Sequence, residues 1–296
     1  MLALVELREG DAQAGVARLQ QAQALQDDSA VGGRAAGLIE HGWALAARRD
    51  GRLEQAEALL TPLHARADAR DPLDACLSAA ALGIVRSMRG DDVAALDLFY
   101  QALALARRSG HASLVVNALN NLGSHQSDQY NLDDAWPLLE ECLTGALALG
   151  SRRQVIYAAG NLVQCLCLMG QAGRALEVAQ QHLIGHIHAD DPPALHRDEE
   201  IAQVLLDNGQ VDAAEAALGG PEHIDPMSNE LATIRVWLRA RILLARGQAG
   251  PALQLCLARR QMLAQTGGAG TIAIDLVNLQ RTAAQSAHRL GEHELA

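Results

Sequence analysis

Histidines and carboxylates are concentrated between residues 182 and 199, where their types could bind a transition metal. His182 and His186 lie four residues apart, on one face of a predicted helix. The other candidate ligands nearby are His188, Asp190, Asp191, His196 and Glu199. However, Pro192 and Pro193 break the segment, and no HExxH-type spacing occurs. We interpret the segment as a solvated loop between helices, with a metal site as the alternative that a calorimetric zinc titration would test.

The cysteines and the catalytic motifs give no sign of an active site. The five cysteines are odd in number and scattered: Cys76, Cys142, Cys165, Cys167 and Cys256. Cys165 and Cys167 are separated by one residue rather than the two of redox and zinc motifs, so we interpret the thiols as small, reduced core residues. Neither GxxxxGK[ST] nor GxSxG occurs, and the chain contains no lysine. We therefore predict no enzyme, no cofactor and no metal.

Composition limits the remaining functions. The 296 residues carry a net charge of −11, which argues against direct nucleic-acid binding because that requires a positive surface. No apolar run approaches a membrane span and the first residues do not form a signal peptide, so we expect a cytoplasmic protein with no membrane partner. The chain is rich in Ala and Leu, and only 2% of its residues are aromatic, which favours helix.

Short turns recur along the chain at intervals of about 40 residues. The turn positions are Gly10, Gly51, Gly90, Tyr130-Asn131, Gly170, Gly209, Gly247 and Gly291. Five residues after each turn comes a small residue, in the series Gly15, Ala56, Ala95, Ala135, Ala175, Ala214, Ala252 and Ala296. Four residues further on is usually an apolar one, in the series Leu19, Leu60, Phe99, Leu139, Ala179, Leu218 and Cys256. This register predicts stacked helix pairs in which the small residue allows close approach and the next one fills the groove between the helices.

These repeats resemble the tetratricopeptide repeat (TPR) family. Leu82-Gly83, Gly90, Ala95, Phe99 and Ala102 match its signature positions, and Leu122-Gly123, Ala135 and Leu139 match them again in the following unit. The longer period is similar to that of the long-helix, MalT-like variety found in bacterial regulatory proteins. We therefore expect an all-α fold, a right-handed α-solenoid of about seven and a half helix-turn-helix repeats in a single array over 1–296. The expected units are 1–29, 33–70, 73–110, 112–150, 152–190, 194–220, 229–267 and an incomplete 271–296.

The resemblance implies a binding groove lined by the first helix of each repeat. In successive units, the inward positions are then Asn117, Asn120, Asn121 and Ser124; Tyr157, Asn161 and Gln164; His196, Glu199 and Gln203; and Trp237 and Arg241. Asn121 and Asn161 are 40 residues apart and are expected to form a ladder. Because amides both donate and accept hydrogen bonds, they suit an extended peptide backbone. The alternative is that these amides only satisfy neighbouring turns.

Two functions follow from this reading. The first is a protein–protein interaction module whose groove holds a protein or peptide partner. The second is the sensory segment of a bacterial multidomain signalling protein, such as a diguanylate cyclase or a transcriptional regulator, with its output domain following Ala296. The incomplete eighth unit favours the second function, since repeat arrays normally cover their last apolar face with a capping helix. The same exposed face is an expected site of contact in a homo-oligomer.

Overall fold

The computed structural model is helical almost throughout the part of the chain that it describes. The described residues are 12–27, 33–66, 72–188, 191, 195–219, 229–266 and 273–291. They contain fourteen helices and no strand. The chain divides into two compact units, residues 1–161 with 187–196 (unit 1) and residues 162–186 with 197–296 (unit 2), so the division falls within one helix. We predicted a single array over 1–296, and this division does not test that prediction.

Unit 1 contains seven helices and the first part of an eighth. These helices are α1 (Ala12–Asp27), α2 (Gly33–Arg49), α3 (Leu53–Arg66), α4 (Pro72–Met88), α5 (Asp92–Ser109), α6 (Ala112–Asp128), α7 (Leu132–Ala148) and α8 (Arg152–Leu168). The helices pack as consecutive pairs, α2 on α3, α4 on α5 and α6 on α7, and each pair also contacts the next.

Unit 2 contains the rest of α8 and six further helices. These are α9 (Ala172–His182), α10 (Asp198–Asp207), α11 (Val211–Leu218), α12 (Asn229–Ala245), α13 (Ala249–Thr266) and α14 (Ala273–Leu290). Pairing again follows the chain, α10 on α11 and α12 on α13, with α14 packed on both α12 and α13. No described helix is long and apolar enough to cross a membrane.

The predicted turn has the same hydrogen bond in every described repeat. The backbone N–H after the turn residue donates to a carbonyl five residues earlier, at 2.9–3.0 Å, which closes the first helix of the pair. The six bonds run from Arg52 to Ala47, Asp91 to Arg86, Asn131 to Gln126, Gln171 to Leu166, Gln210 to Leu205 and Gln248 to Leu243. The predicted turn at Gly10 lies outside the described residues.

The turn residue must adopt a left-handed backbone, which explains why glycine recurs there. The glycines at the turn positions have φ between 71° and 80°. At the one described repeat without glycine, Tyr130 takes the same place with a φ of 59°. Among the described residues, Tyr130 is the only non-glycine with positive φ. The prediction that Tyr130-Asn131 replaces the glycine turn is therefore confirmed.

The small and large positions of the repeat form the core, as predicted. The small residues Ala56, Ala95, Ala135, Ala175, Ala214 and Ala252 are each 0% exposed. The residues four places later, together with Leu19, which follows Gly15 in the same way, are between 0% and 3% exposed: Leu19, Leu60, Phe99, Leu139, Ala179, Leu218 and Cys256. Ala296, the last predicted small residue, lies outside the described residues.

Glycines within two first helices receive the large residues of their partner helices. A Cβ added at Gly83 would lie 2.8 Å from Cε1 of Phe99, and one added at Gly123 would lie 2.8 Å from Cγ of Leu139. Contacts this short do not occur between well-packed side chains, so the absence of a side chain at these glycines allows the two helices to approach. Each glycine thus reserves space for one large side chain.

The thiols belong to the core. Cys76, Cys142, Cys165 and Cys256 are buried and Cys167 is half-buried, and all five are free. Burial raises the pKa of Cys142 to about 12 and those of Cys76 and Cys256 to about 11. These thiols are therefore protonated, as the interpretation as small core residues requires.

We expect unit 1 to lose stability in mild acid because of His125. Burial lowers the pKa of this histidine, against an opposing effect of Asp92, and its Nδ1 lies 3.1 Å from the hydroxyl of Ser87. The unfolded chain therefore binds a proton near pH 6.5 that the folded chain does not, so stability present above that pH is lost as the pH falls.

Urea unfolding at neutral pH and at about pH 5.5 tests this. His125→Gln should reduce the difference between the two midpoints, whereas His111→Gln, at an exposed position, should not. His64 and His182 also have pKa values lowered by burial, so part of the pH dependence should persist in His125→Gln. An unaltered pH dependence in that variant would show that His125 does not contribute.

Candidate functional site

A groove of about 820 Å³ opens among the described residues of unit 1. Four successive first helices supply most of its lining: α2, α4, α6 and α8. The resemblance predicted a groove lined by first helices, and the assignment of this groove to ligand binding remains a prediction. The repeat packing positions the lining side chains, because α3 packs against both α2 and α4 and α5 packs against both α4 and α6.

The groove has an apolar floor and a polar wall. The floor comes from α4, with Leu77, Ala80, Ala81 and Ile84. The wall comes from α6 and α8, with Ser113, Asn117, Asn120, Asn121, Gln154 and Tyr157. Asn117 is exposed, and Asn120, Asn121 and Tyr157 are half-buried. The groove can therefore place apolar side chains of a ligand on one side and its polar backbone on the other.

Amide side chains bridge α6 and α8. Gln154 donates from Nε2 to Oδ1 of Asn117 at 3.0 Å and also reaches the hydroxyl and carbonyl oxygens of Ser113 at 3.1 Å. Asn161 donates from Nδ2 to Oδ1 of Asn120 at 3.0 Å. An amide bridge thus joins α6 to α8 through Asn120 and Asn161, whereas the ladder of Asn121 and Asn161 remains a prediction.

In each bridge, one amide uses only its nitrogen and the other only its oxygen. With the orientations that these bonds assign, the Nδ2 groups of Asn117 and Asn120 and the side-chain oxygens of Gln154 and Asn161 have no partner among the described residues. None of these atoms is among the described atoms that are both buried and unsatisfied, so water reaches them. The bridges therefore hold free donors and acceptors in fixed positions at the groove.

Tyr157 and Arg153 form the α8 side of the groove. The guanidinium carbon of Arg153 lies 5.7 Å from the centroid of the Tyr157 ring, a cation–π distance that holds both side chains against the wall. The neighbouring Arg152 makes a bidentate ion pair with Asp191, at 2.9 and 2.6 Å. Arg152 thus joins α8 to the 187–196 segment, and Arg153 contributes its positive charge to the groove.

Eight of the twelve predicted residues lie outside this lining, and one of them is Asn161, which contacts the lining through its hydrogen bond to Asn120. Four others make no contact with the lining in the hydrogen bonds described. Ser124, Gln164, His196 and Gln203 are half-buried. Of these, His196 donates from its ring Nε2 to the carbonyl of Asp191 at 3.2 Å. Their assignment to a ligand-binding surface remains a prediction.

The remaining predicted residues make ion pairs and core contacts inside unit 2. Glu199 accepts from Nε of Arg235 at 2.6 Å. Arg241 donates to Asp207 at 2.6 Å and lies 5.2 Å from the ring centroid of Trp237. Trp237 itself is 8% exposed and belongs to the core of unit 2. These contacts join α10 to α12, and a role in ligand binding for these residues also remains a prediction.

The histidine-rich segment does not form a metal site within the residues described. No group of three or more histidine, cysteine or acidic side chains comes together in them. Asp191 binds Arg152 and accepts the backbone N–H of His188 at 2.7 Å, and these two hydrogen bonds hold the pKa of its carboxyl far below its usual range. Asp190 and the Pro192-Pro193 break lie outside the described residues.

Several groove residues were not predicted from the sequence. Arg48 and Arg49 occupy the last turn of α2, where a cation suits the helix dipole, and they also line the groove. Gln154 could have been found, because it stands 37 residues after Asn117, close to the repeat period. The apolar floor on α4 gave no signal, since its residues are common in any helix core.

The described helices form an all-α helical-repeat fold. Solved structures share this fold at low identity. NprR in complex with its cognate peptide NprX aligns with a TM-score of 0.66 and 14% identity, covering 99% of this chain and 84% of that one. The apo form of the quorum sensor NprR from B. thuringiensis gives 0.63 and 12%, covering 99% and 93%.

A third solved structure extends the same likeness. A Rap protein complexed with competence and sporulation factor aligns with a TM-score of 0.57 and 11% identity, covering 99% of this chain and 76% of that one. At these identities the likeness shows the fold, and the predicted all-α helical-repeat solenoid is confirmed. No protein-family model matches the sequence. No curated protein matches it either.

Proposed function

We propose that the chain is an interaction module that binds an extended peptide, or an extended segment of a partner protein, in the groove of unit 1. The observation that carries the proposal is the set of half-used amides on α6 and α8. An extended backbone offers one N–H and one C=O per residue, and fixed amides with free donors and acceptors can pair with both. The apolar floor on α4 would receive the side chains that point the other way.

The amide bridges also lower the cost of binding. A side chain that is already held by one hydrogen bond loses less rotamer freedom when a ligand forms the next one. Gln154 and Asn117 hold each other, and Asn161 holds Asn120, at 3.0 Å in both cases. The wall is therefore preorganised for a polar ligand before that ligand arrives.

Two of the structural neighbours also support a peptide ligand. NprR was solved with its cognate peptide NprX, and a Rap conjugation gene regulator was solved in complex with the Phr* peptide. Since they share the fold, a peptide ligand is the natural first candidate for the groove of this chain.

The alternative is a sensory segment within a bacterial signalling protein, of the MalT-like long-helix variety. The described neighbours include a quorum sensor and a conjugation gene regulator, which favours a regulatory role. Both hypotheses use the same groove and differ in what the bound ligand controls. A ligand-dependent change in an adjoining output domain would separate the alternative from a simple interaction module.

Replacing Asn117 and Asn121 together by alanine should lower peptide affinity about tenfold, because each amide contributes one or more hydrogen bonds to the ligand backbone. The probe is a library of random linear peptides panned on the intact chain, with enriched sequences resynthesised and measured by fluorescence anisotropy. Stability should change little, since Asn117 is exposed and the side chain of Asn121 makes no hydrogen bond with another described residue.

Gln101→Ala is the matched control for this test. Gln101 is an exposed amide on α5, outside the groove lining. Affinity should be kept in this variant. The proposal fails if no peptide is enriched over the Asn117→Ala/Asn121→Ala variant, or if Gln101→Ala weakens binding as much as that variant does.

A further inference from the structure

The two amide bridges between α6 and α8 have the same polarity. In the first, Gln154 donates from Nε2 to Oδ1 of Asn117 at 3.0 Å. In the second, Asn161 donates from Nδ2 to Oδ1 of Asn120 at 3.0 Å. In both bridges α8 supplies the nitrogen and α6 supplies the oxygen. An amide whose oxygen faces its bridge keeps its NH₂ group for another partner, so both asparagines of α6 keep a donor.

Neighbouring groups fix this polarity. Nε2 of Gln154 also donates to the backbone carbonyl of Ser113 at 3.1 Å, and because a carbonyl can only accept, the nitrogen of Gln154 must face α6. At the second bridge the Cys142 thiol donates to the carbonyl of Val116 at 3.3 Å and lies 4.0 Å from Oδ1 of Asn120. Both bridges therefore need an oxygen, and not an NH₂ group, on the α6 side.

We propose, resting on the function proposed above, that Gln154 and Asn161 are positioning residues. They turn the amides of Asn117 and Asn120 so that both offer the groove a hydrogen-bond donor, and the ligand binds there through backbone carbonyl oxygens. Asn117 and Asn120 line the groove, and their Nδ2 groups have no hydrogen-bond partner among the described residues. Asn161 is outside the lining and acts on the ligand only through Asn120.

This polarity determines which chemical group of a ligand the wall accepts. An asparagine without a bridge can rotate its amide to meet either an N–H or a C=O group. Rotating the amide of Asn120 would instead place its NH₂ group against that of Asn161 and lose the bridging hydrogen bond. The two α6 asparagines therefore select acceptors, and an extended peptide can supply them as successive carbonyl oxygens.

The orientation of Asn120 can be measured in the chain without ligand. We expect the side-chain NH₂ protons of Asn161 to exchange with water more slowly than those of Asn120, because only the former make the bridge. In Asn161→Asp the new carboxylate can only accept, so the Asn120 amide should reverse and its own protons should become protected. NMR of the chain with isotope-labelled asparagine measures both rates. Unchanged exchange at Asn120 in the variant would overturn the positioning role of Asn161.

Peptides enriched from the library described above test the consequence for binding. Each amide bond of a peptide is replaced in turn by an alkene, which removes both C=O and N–H, and by an ester, which keeps the C=O. At the bonds that face Asn117 and Asn120, the ester should bind about fivefold more tightly than the alkene, because only the ester keeps the accepting oxygen. Asn161→Asp should abolish this difference at one bond, and Gln154→Glu should abolish it at the other.

Gln101→Glu is the matched control, since it adds the same charge at an exposed position of α5 outside the lining. It should leave both differences unchanged. An added charge acts on the ester and the alkene alike, so the difference between them reports the carbonyl bond.

The outcomes separate this inference from the function on which it rests. If no bond distinguishes ester from alkene in the wild type, or if Asn161→Asp and Gln154→Glu keep both differences, the positioning roles are overturned and peptide binding stands. If Gln101→Glu abolishes the differences as well, the loss does not come from the bridges and the inference is also overturned. If no peptide is enriched from the library, the proposed function and this inference both fail.

Discussion

Unit 2 should lose about 3–5 kcal/mol of unfolding free energy when Arg235 is replaced by methionine. The Arg235 side chain is 7% exposed and donates from Nε to Glu199, itself 14% exposed, at 2.6 Å. Its second contact is Asp198 at 3.6 Å. Methionine fills much of the space but leaves the Glu199 carboxylate nearly buried without its partner. The expected loss of unfolding free energy is that of leaving the Glu199 charge unpaired, and it is far larger than the net contribution of the ion pair to stability.

Two further variants test whether the loss comes from the unpaired charge. Arg246→Met removes ion pairs to Asp212 and Glu215 that are 95% and 53% exposed, so it should cost less than about 1 kcal/mol. The double variant Arg235→Met/Glu199→Met should recover most of the single loss, because no charge then remains unpaired at Glu199.

Urea unfolding measures the loss, and amide exchange should locate it in α10 and α12, the helices that the pair joins. A loss in Arg235→Met no larger than in Arg246→Met would show that Glu199 is solvated despite its burial. A double variant as unstable as the single one would show that Arg235 matters for packing rather than for charge.

The sequence was sufficient for the fold because the repeat encodes it locally. Each helix pair is closed by a turn within a few residues, and the small residue five places later is within the same second helix. Ala95 and Ala135 could therefore be placed in the core from position alone, and both are 0% exposed. Even Tyr130 follows the rule, since its backbone adopts the left-handed turn with a φ of 59°.

The groove was less predictable because its lining depends on contacts between repeats. Asn120 and Asn161 are 41 residues apart and bond to each other, which no local pattern specifies. Arg49 has a sufficient local explanation, a cation at the end of a helix, and that explanation concealed its place in the groove. The charge of the lining can be recognised only when α2, α4, α6 and α8 are known to line the same groove.

In two neighbouring repeats, the larger of two facing core residues lies on different helices of the pair. A comparison of the two repeat sequences can detect this. Gly123 and Leu139, 16 residues apart, are in contact, since an added Cβ at Gly123 would lie 2.8 Å from Leu139. In the next repeat the corresponding positions are Val163 and Ala179, both 0% exposed. The small and large residues have thus changed helices between the two repeats, while both positions stay buried.

Moving the larger side chain from position 139 on α7 to position 123 on α6 should be tolerated better than the two separate substitutions predict. Leu139→Ala alone should cost about 2–5 kcal/mol of unfolding free energy through the cavity it leaves. Gly123→Val alone should cost about 1–3 kcal/mol, because the new side chain collides with Leu139. In the double variant the valine occupies the space that leucine vacated, so the combined loss should be smaller than the sum by about 1–3 kcal/mol.

Gly173→Val controls for the change of glycine itself. Gly173 lies in α9, and an added Cβ there would meet nothing within 4 Å, so valine should be tolerated or slightly favoured in the helix. Urea midpoints of the five proteins, wild type included, complete the comparison. Strictly additive losses at Gly123 and Leu139 would mean that the two side-chain positions do not share one space. Coupling of the expected sign would establish that the repeat conserves the volume between its helices, whichever helix supplies it.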